Sequence, residues 1–311
     1  MPLDILALAA HRDDVEQTCG GTLLKMAERG YRTGILDLTQ GEMGTRGTAE
    51  DRAREAAEAA RILKASWRQA LDIPDGRVEN TWENRLKVVR VLREQRPRVL
   101  ILPYWEGRHP DHYTASVLGY EAAFLAGLAK LDTSSQLSAL SSQKPGVSSE
   151  FPGSTARPRQ SSRSETSAST ARPGQSSTSP EGAKQESPGR KSGDPSAIDR
   201  VPKGRHSDSL APHRPFKIIY ASLYRDVRPT FVVDITEQFE TRFKSLMAYK
   251  SQFADQQAGS SIFPAQADIR ARVESMARFY GMQAGVTYAE PFVQKEMGLI
   301  DDLLAIPVRS I

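Results

Sequence analysis

The chain is short of cysteine: Cys19 is the only one in 311 residues. A single thiol excludes an internal disulfide framework and fits a reducing cytosol. Long apolar runs are missing as well, and none approaches the roughly 18 residues that a membrane helix needs. The opening "MPLDILALAA" is short and carries Asp4 where a secretory leader would be basic. It reads as a buried strand, and the protein is expected to be cytoplasmic and to have no membrane partner. A charge excess is absent where it would count. The formal net charge is +4, but residues 133–212 hold 11 Lys/Arg against 7 Asp/Glu, leaving 31 of each sign elsewhere. That balance gives no reason to expect a nucleic-acid partner.

The same stretch, 133–212, lacks aromatics apart from Phe151 and holds 9 of the 19 prolines. It has too little apolar surface to offset the entropy of ordering it. It is expected to be a disordered Ser/Pro/Gly-rich insertion. Residues 1–132 and 213–311 then form the N-terminal and C-terminal parts of one domain, and no internal repeat is evident.

What is there alternates. "LDILALAA" is a strand candidate, and "GGTLLKMAER" is a helix stopped by Gly30. "YRTGILDLT" is a second strand. "EDRAREAAEAARILK" is Ala-rich and helical, with Thr48 as a capping residue. "RQALDI" is a third strand, and "ENRLKVVRVLREQ" sets Leu86, Val89 and Leu92 on one helical face. "RVLILPY" is a fourth strand and "ASVLGYEAAFLAGLAKL" a helix. Past the insertion, "FKIIYAS" and "TFVVDI" are strands. Helices are expected at "EQFETRFKSLMAYKSQF" and from about Gln266 to Tyr280. The order predicts an α/β fold: a Rossmann-like parallel sheet with helices on both faces and a smaller C-terminal β/α portion.

Ligands of open α/β sheets sit beyond the carboxyl ends of the strands. His11, Asp13 and Asp14 follow the first strand, Glu42 and Arg46 the second, and "YWEGRHPDH" the fourth. Only five histidines exist, and His11, His109 and His112 fall in two of these loops. Two imidazoles and a carboxylate are a common ligand set for a catalytic zinc, with one position left open. His11, Asp14 and His112 can supply it, and Asp13 can take a proton from the attacking water. Two plainer readings stand beside this one. Asp13 or Asp14 could cap the following helix, and His109 and His112 could lie on a solvated loop bent by Pro110. A dinucleotide site is disfavoured, because Gly20–Gly21 lacks the G-x-G-x-x-G pattern and the first loop carries carboxylates.

"AHRDD" at 10–14 together with "HPDH" at 109–112 resembles the LmbE/PIG-L family of zinc-dependent N-deacetylases. Within it, the similarity leans to the bacillithiol-biosynthesis deacetylases that act on N-acetylglucosaminyl malate. "DLTQGEMGTRGT", "PHRP", "AYKSQF" and "GVTYAEPF" extend it over 3–131 and 212–292. The resemblance implies Zn2+ held by His11, Asp14 and His112, with Asp13 as general base. His109 would stabilise the oxyanion, and Asp111 would orient a neighbouring imidazole. Arg52 matches a family arginine near the substrate, and Glu42, Arg46 and Arg108 would line the pocket. It also implies a small-molecule substrate and a homo-oligomer, often a hexamer in relatives. Two departures stand out. Arg12 replaces the proline of the usual "HPDD" and is expected to face solvent, with substrate as the alternative. The 133–212 insertion is longer than the family's connection there. Cys19 is expected to be a small buried residue under the first loop.

The expected reaction is hydrolysis of the N-acetyl group of an N-acetylglucosamine conjugate. Other inositol-linked, chitooligosaccharide or mycothiol-type conjugates are alternatives. A non-catalytic carbohydrate- or metal-binding module is a rival of another class, and a scaffold acting through the insertion is a third.

Overall fold

The computed structural model describes residues 1–133, 210–222, 226–254 and 266–302. The strands are β1 (Ile5–Ala9), β2 (Thr33–Asp37), β3 (Trp67–Ala70), β4 (Val99–Pro103), β5 (Lys217–Ala221), β6 (Phe231–Asp234) and β7 (Ala289–Val293). The helices are α1 (Asp14–Thr18), α2 (Gly20–Glu28), α3 (Ala49–Ile62), α4 (Trp82–Gln95), α5 (Pro110–Ala126), α6 (Phe239–Leu246), α7 (Lys250–Phe253) and α8 (Gln266–Ala284). One seven-stranded sheet runs in the order β3-β2-β1-β4-β5-β7-β6. β1 to β5 are parallel, while β7 is antiparallel to both β5 and β6.

The central strands β1, β2 and β4 are buried on both faces, as their continuous apolar runs predict. Leu6 and Leu8 of β1 join Leu100 and Leu102 of β4 in a core with Val88 and Val89 of α4 and Leu118 of α5. The alternate residues Ala7, Ala9 and Ile101 pack on the other face with Val15, Leu23 and Leu24 of α1 and α2. Thr48 caps α3 in a reciprocal pair with Asp51, as its position before the Ala-rich run predicts.

Three elements differ from the expectation. α5 begins at Pro110 rather than near Ala115, because His109 caps it and Pro110 fits its first position. The helix expected over 237–253 splits at Tyr249, whose ψ of 68° leaves helical geometry. The ring of Tyr249 is fully buried there. Finally, β7 is an interior strand despite Pro291. Its ladder with β5 stops at Phe292, so Pro291 has only β6 beside it.

Residues on both sides of the expected insertion form one compact unit. β4 from the first part pairs with β5 from the second. Nearly all of the insertion, 134–209, lies outside the described residues. Its two flanks converge on Arg93, whose Nη1 donates to the carbonyls of Leu131 (2.8 Å) and Leu210 (3.4 Å). Among the described residues, no helix is long and apolar enough to cross a membrane.

Candidate metal centre

β1 lies between β2 and β4. The chain leaves β1 toward β2 and β3 on one side and resumes at β4 on the other, so a crevice opens at their carboxyl ends. The loop after β1 carries His11 and Asp13, and Asp14 opens α1. The "HPDH" run forms the start of α5: His109 is its cap, and His109 Nδ1 accepts from the Asp111 N–H at 3.2 Å. That bond assigns the proton of a neutral His109 ring to Nε2. His112 follows in the first turn, its N–H bonded to the His109 carbonyl at 3.1 Å. The solvated-loop reading of His109 and His112 is thus replaced by a capped helix start.

Side chains from the two loops meet. His11 Nδ1 lies 3.2 Å from His112 Nε2. His112 Nε2 is 3.2 Å from Asp14 Oδ1, and His11 Nδ1 is 3.6 Å from Asp14 Oδ2. Ligands about 2.0–2.1 Å from a tetrahedral zinc sit about 3.3 Å from one another. The donor set and its spacing therefore fit such an ion. His11, His109 and Asp111 also come within ligand range of one another. That second set is the poorer candidate, because both Asp111 oxygens already accept backbone hydrogen bonds, from Gly76 N–H at 2.8 Å and Val78 N–H at 3.2 Å.

The other nitrogen of His11 fixes its orientation. Nε2 stands 3.2 Å from Asp111 Oδ2 and 3.1 Å from Asp75 Oδ1. A proton shared there leaves the Nδ1 lone pair facing His112 and Asp14, the carboxylate–histidine–metal arrangement that makes an imidazole a better ligand. Burial alone would lower the pKa of His11, but hydrogen bonds to Asp111, Asp14 and Asp75 hold it far above its usual value. Burial likewise opposes charge on His112, and Asp14 outweighs it, so its pKa is raised. His109 goes the other way: burial and its neighbours His11 and His112 lower its pKa and keep it neutral.

Asp13 occupies the cap position of α1 but makes no side-chain capping bond. Arg52 Nη2 donates to its Oδ1 and Gln17 Nε2 to its Oδ2, both at 3.3 Å. Burial raises its pKa despite the opposing pull of Arg52. Arg52 is itself buried, with its guanidinium 5.7 Å from the Tyr249 ring. It contacts the expected base. Gly41, at a φ of +73°, lets the loop after β2 turn against this guanidinium. Glu42, on that loop, accepts from the N–H of Asp75 (2.8 Å) and of Gln40 (3.2 Å). Arg46 is half-buried, and its carbonyl accepts from Gln252. Arg108 is exposed on the loop before α5.

Arg12 corrects an expectation, since it faces neither solvent nor an open pocket. It is 8% exposed, and its Nη1 donates to the Ala49 carbonyl at 2.8 Å. That carbonyl opens α3, and the attraction of Asp37 favours the guanidinium there although burial lowers its pKa. Cys19 is buried, as expected.

The family model PIG-L, GlcNAc-PI de-N-acetylase, matches residues 6–123, which include the loops after β1 and β4. The solved structure of the conserved protein TT1542 from Thermus thermophilus is 30% identical. Its alignment covers 96% of this chain and 97% of that one, with a TM-score of 0.64. The chain belongs to the PIG-L/LmbE family. A relative, diacetylchitobiose deacetylase from Thermococcus kodakarensis, is 35% identical over 147 residues, 44% of this chain and 55% of that protein. The chain thus spans about half the length of this curated relative. N,N'-diacetylchitobiose deacetylase from Pyrococcus horikoshii shares the fold, with a TM-score of 0.59 at 21% identity over 93% of this chain and 82% of that one.

Sequence reasoning missed a buried network of charges. Arg68 holds Asp37 with two bonds, at 2.8 and 2.9 Å, and Glu16 at 2.7 Å. The Tyr249 hydroxyl donates to Glu16 at 3.2 Å. Asp75 was missed as well. It lies in "DIPDG" after β3, at the same sheet edge as the other loops, and that edge was the one available signal.

Proposed function

We propose that this chain is a zinc-dependent N-deacetylase of N-acetylglucosamine conjugates, with N-acetylglucosaminyl malate of bacillithiol biosynthesis as its substrate. The observation that carries this reading is the meeting of His11, Asp14 and His112 at zinc-ligand spacing, beside a half-buried carboxylate, Asp13, held by Arg52 and Gln17. Zinc bound there would lower the pKa of a water to about 7 and polarise the amide carbonyl.

The chain's own residues would do the rest. Asp13 removes a proton from the attacking water, and its raised pKa suits a base working near neutrality. Arg52 and Gln17 keep that carboxylate in place. His109 presents Nε2–H to the oxygen that becomes negatively charged. The amide C–N bond breaks, a C–O bond to the oxygen of water forms, and the abstracted proton ends on the departing amine. The products are acetate and a free amine. In this reading Arg108 and Arg46 would grip a malate carboxylate. The relative from Thermococcus kodakarensis favours a second substrate, diacetylchitobiose.

Purified protein, its metal content measured, is to be incubated with N-acetylglucosaminyl malate, diacetylchitobiose and N-acetylglucosamine, and amine release followed. The malate conjugate is expected to be turned over fastest. Asp13→Ala should retain zinc and lose about 10²- to 10⁴-fold in turnover. Normal turnover by that variant would remove Asp13 from the role of base. A metal-loaded protein that releases no amine from any of the three would leave the non-catalytic reading.

A further inference from the structure

A small cavity of about 30 Å³ adjoins two of the metal-ligating side chains, Asp14 and His112. It lies at the carboxyl ends of β1, β4 and β5, against α1. Its other walls include Val15, Cys19, Ile101 and Ala221, each at most 4% exposed. The mouth of the cavity carries Asp14, His112 and the exposed Glu106, Thr18 adds a hydroxyl to the lining, and the walls formed by Val15, Cys19, Ile101 and Ala221 are apolar and fixed in the core.

An amide carbonyl carbon activated next to Asp14 and His112 carries two substituents. One is the nitrogen of a sugar, polar and bulky, which requires open space. The other is the acyl chain, apolar and, for acetyl, a single methyl. A water-sized group needs about 10–15 Å³ of such space, so this cavity holds about two. A methyl fits and an ethyl fills it. A longer chain would have to displace close-packed walls that do not yield cheaply.

We propose that this cavity is the acyl subsite, and that it restricts the enzyme to N-formyl and N-acetyl groups, with N-propionyl at its limit. The inference rests on the N-deacetylase reading and adds to it the class of acid released. Cys19 and Ile101 are the walls whose size sets the limit.

The test is a series of N-formyl, N-acetyl, N-propionyl and N-butyryl glucosamine conjugates, compared by kcat/KM on the zinc-loaded full chain. N-butyryl is expected to fall about 100-fold or more below N-acetyl, in line with the roughly 10- to 200-fold effect of one methylene in a tight pocket. Cys19→Ala should raise the butyryl-to-acetyl ratio about tenfold, and Ile101→Val should shift it the same way if the first variant folds poorly. Ala221→Val should narrow the space and lower acetyl relative to formyl. Acetyl and butyryl rates within about threefold of each other would overturn the subsite while leaving the deacetylase intact. A ratio unmoved in both enlarged variants would do the same. No amine release from any member would overturn the deacetylase reading itself.

Discussion

Replacing Asp111 by Asn tests whether the metal site depends on a carboxylate that does not ligate the ion. Asp111 gathers three donors: Gly76 N–H at 2.8 Å, Val78 N–H at 3.2 Å and His11 Nε2 at 3.2 Å. Burial pushes its carboxyl upward, but the bonds from His11 and from Val78 and Gly76 hold its pKa below the usual range. An amide keeps the shape and one oxygen. It must turn an NH₂ toward either His11 or a backbone N–H, and either choice sets two donors against each other. The charge that favours a proton on His11 Nε2 also disappears. Loss of such a supporting carboxylate costs about 10- to 100-fold in metal affinity, or about 1.4–2.8 kcal/mol. The effect should stay near the lower figure, because Asp75 remains 3.1 Å from the same nitrogen. In Asp75→Asn/Asp111→Asn it should reach the upper one. Zinc affinity is read by competition with a chromophoric chelator, with metal-free thermal unfolding as the control for fold. If the double variant bound zinc within about twofold of the parent, His11 would not be oriented through Nε2.

Three further outcomes follow from the same contacts. Arg12→Met leaves the Ala49 carbonyl without its partner and weakens the counter-charge to Asp37, so stability in urea should fall by about 1–3 kcal/mol, while an unchanged midpoint would place the guanidinium in solvent. Arg242→Met strips a buried Glu290 of its partner at 3.1 Å while Glu290 still holds the N–H groups of Gly21 and Thr22; the loss should be about 3–5 kcal/mol by chemical denaturation, and one below about 1 kcal/mol would contradict the pairing. Replacing residues 135–208 by a short Gly/Ser linker should change stability by only about 1 kcal/mol and keep amine release, because Leu131 and Leu210 already share one arginine nitrogen; an insoluble product would argue that the segment supports the fold.

The strands were legible because parallel strands buried on both faces read as unbroken apolar runs, as in "ILALA" and "VLILP". The meeting of His11 with His112 was legible from topology alone, since both lie beyond the carboxyl ends of neighbouring strands. Other parts were not. Glu16, Asp37 and Arg68 look like surface charges, because isolated charges are rarely buried and the sequence does not display their pairing. Asp75 sits in an Asp-Gly turn, where Asp is ordinary, and no spacing ties it to His11. Arg12 looked solvent-bound because its acceptor, a carbonyl 37 residues away, leaves no mark on side-chain identity. The early start of α5 was hidden because a histidine is an uncommon cap, and only the bond to Asp111 reveals it.

The placement of β7 between β5 and β6 has a consequence for how the protein is made. A nascent chain emerging from the ribosome can assemble the five parallel strands once Ala221 is out. β6, although translated earlier than β7, has no neighbour to dock on until Val293 has emerged, because β7 is the strand it pairs with. Glu290, which accepts from the Gly21 and Thr22 N–H groups at the start of α2, arrives in that same late segment. Ribosome-bound intermediates should therefore hold the loops after β1 and β4 while leaving one flank of the sheet open, and pausing translation before residue 289 should expose that edge to chaperones.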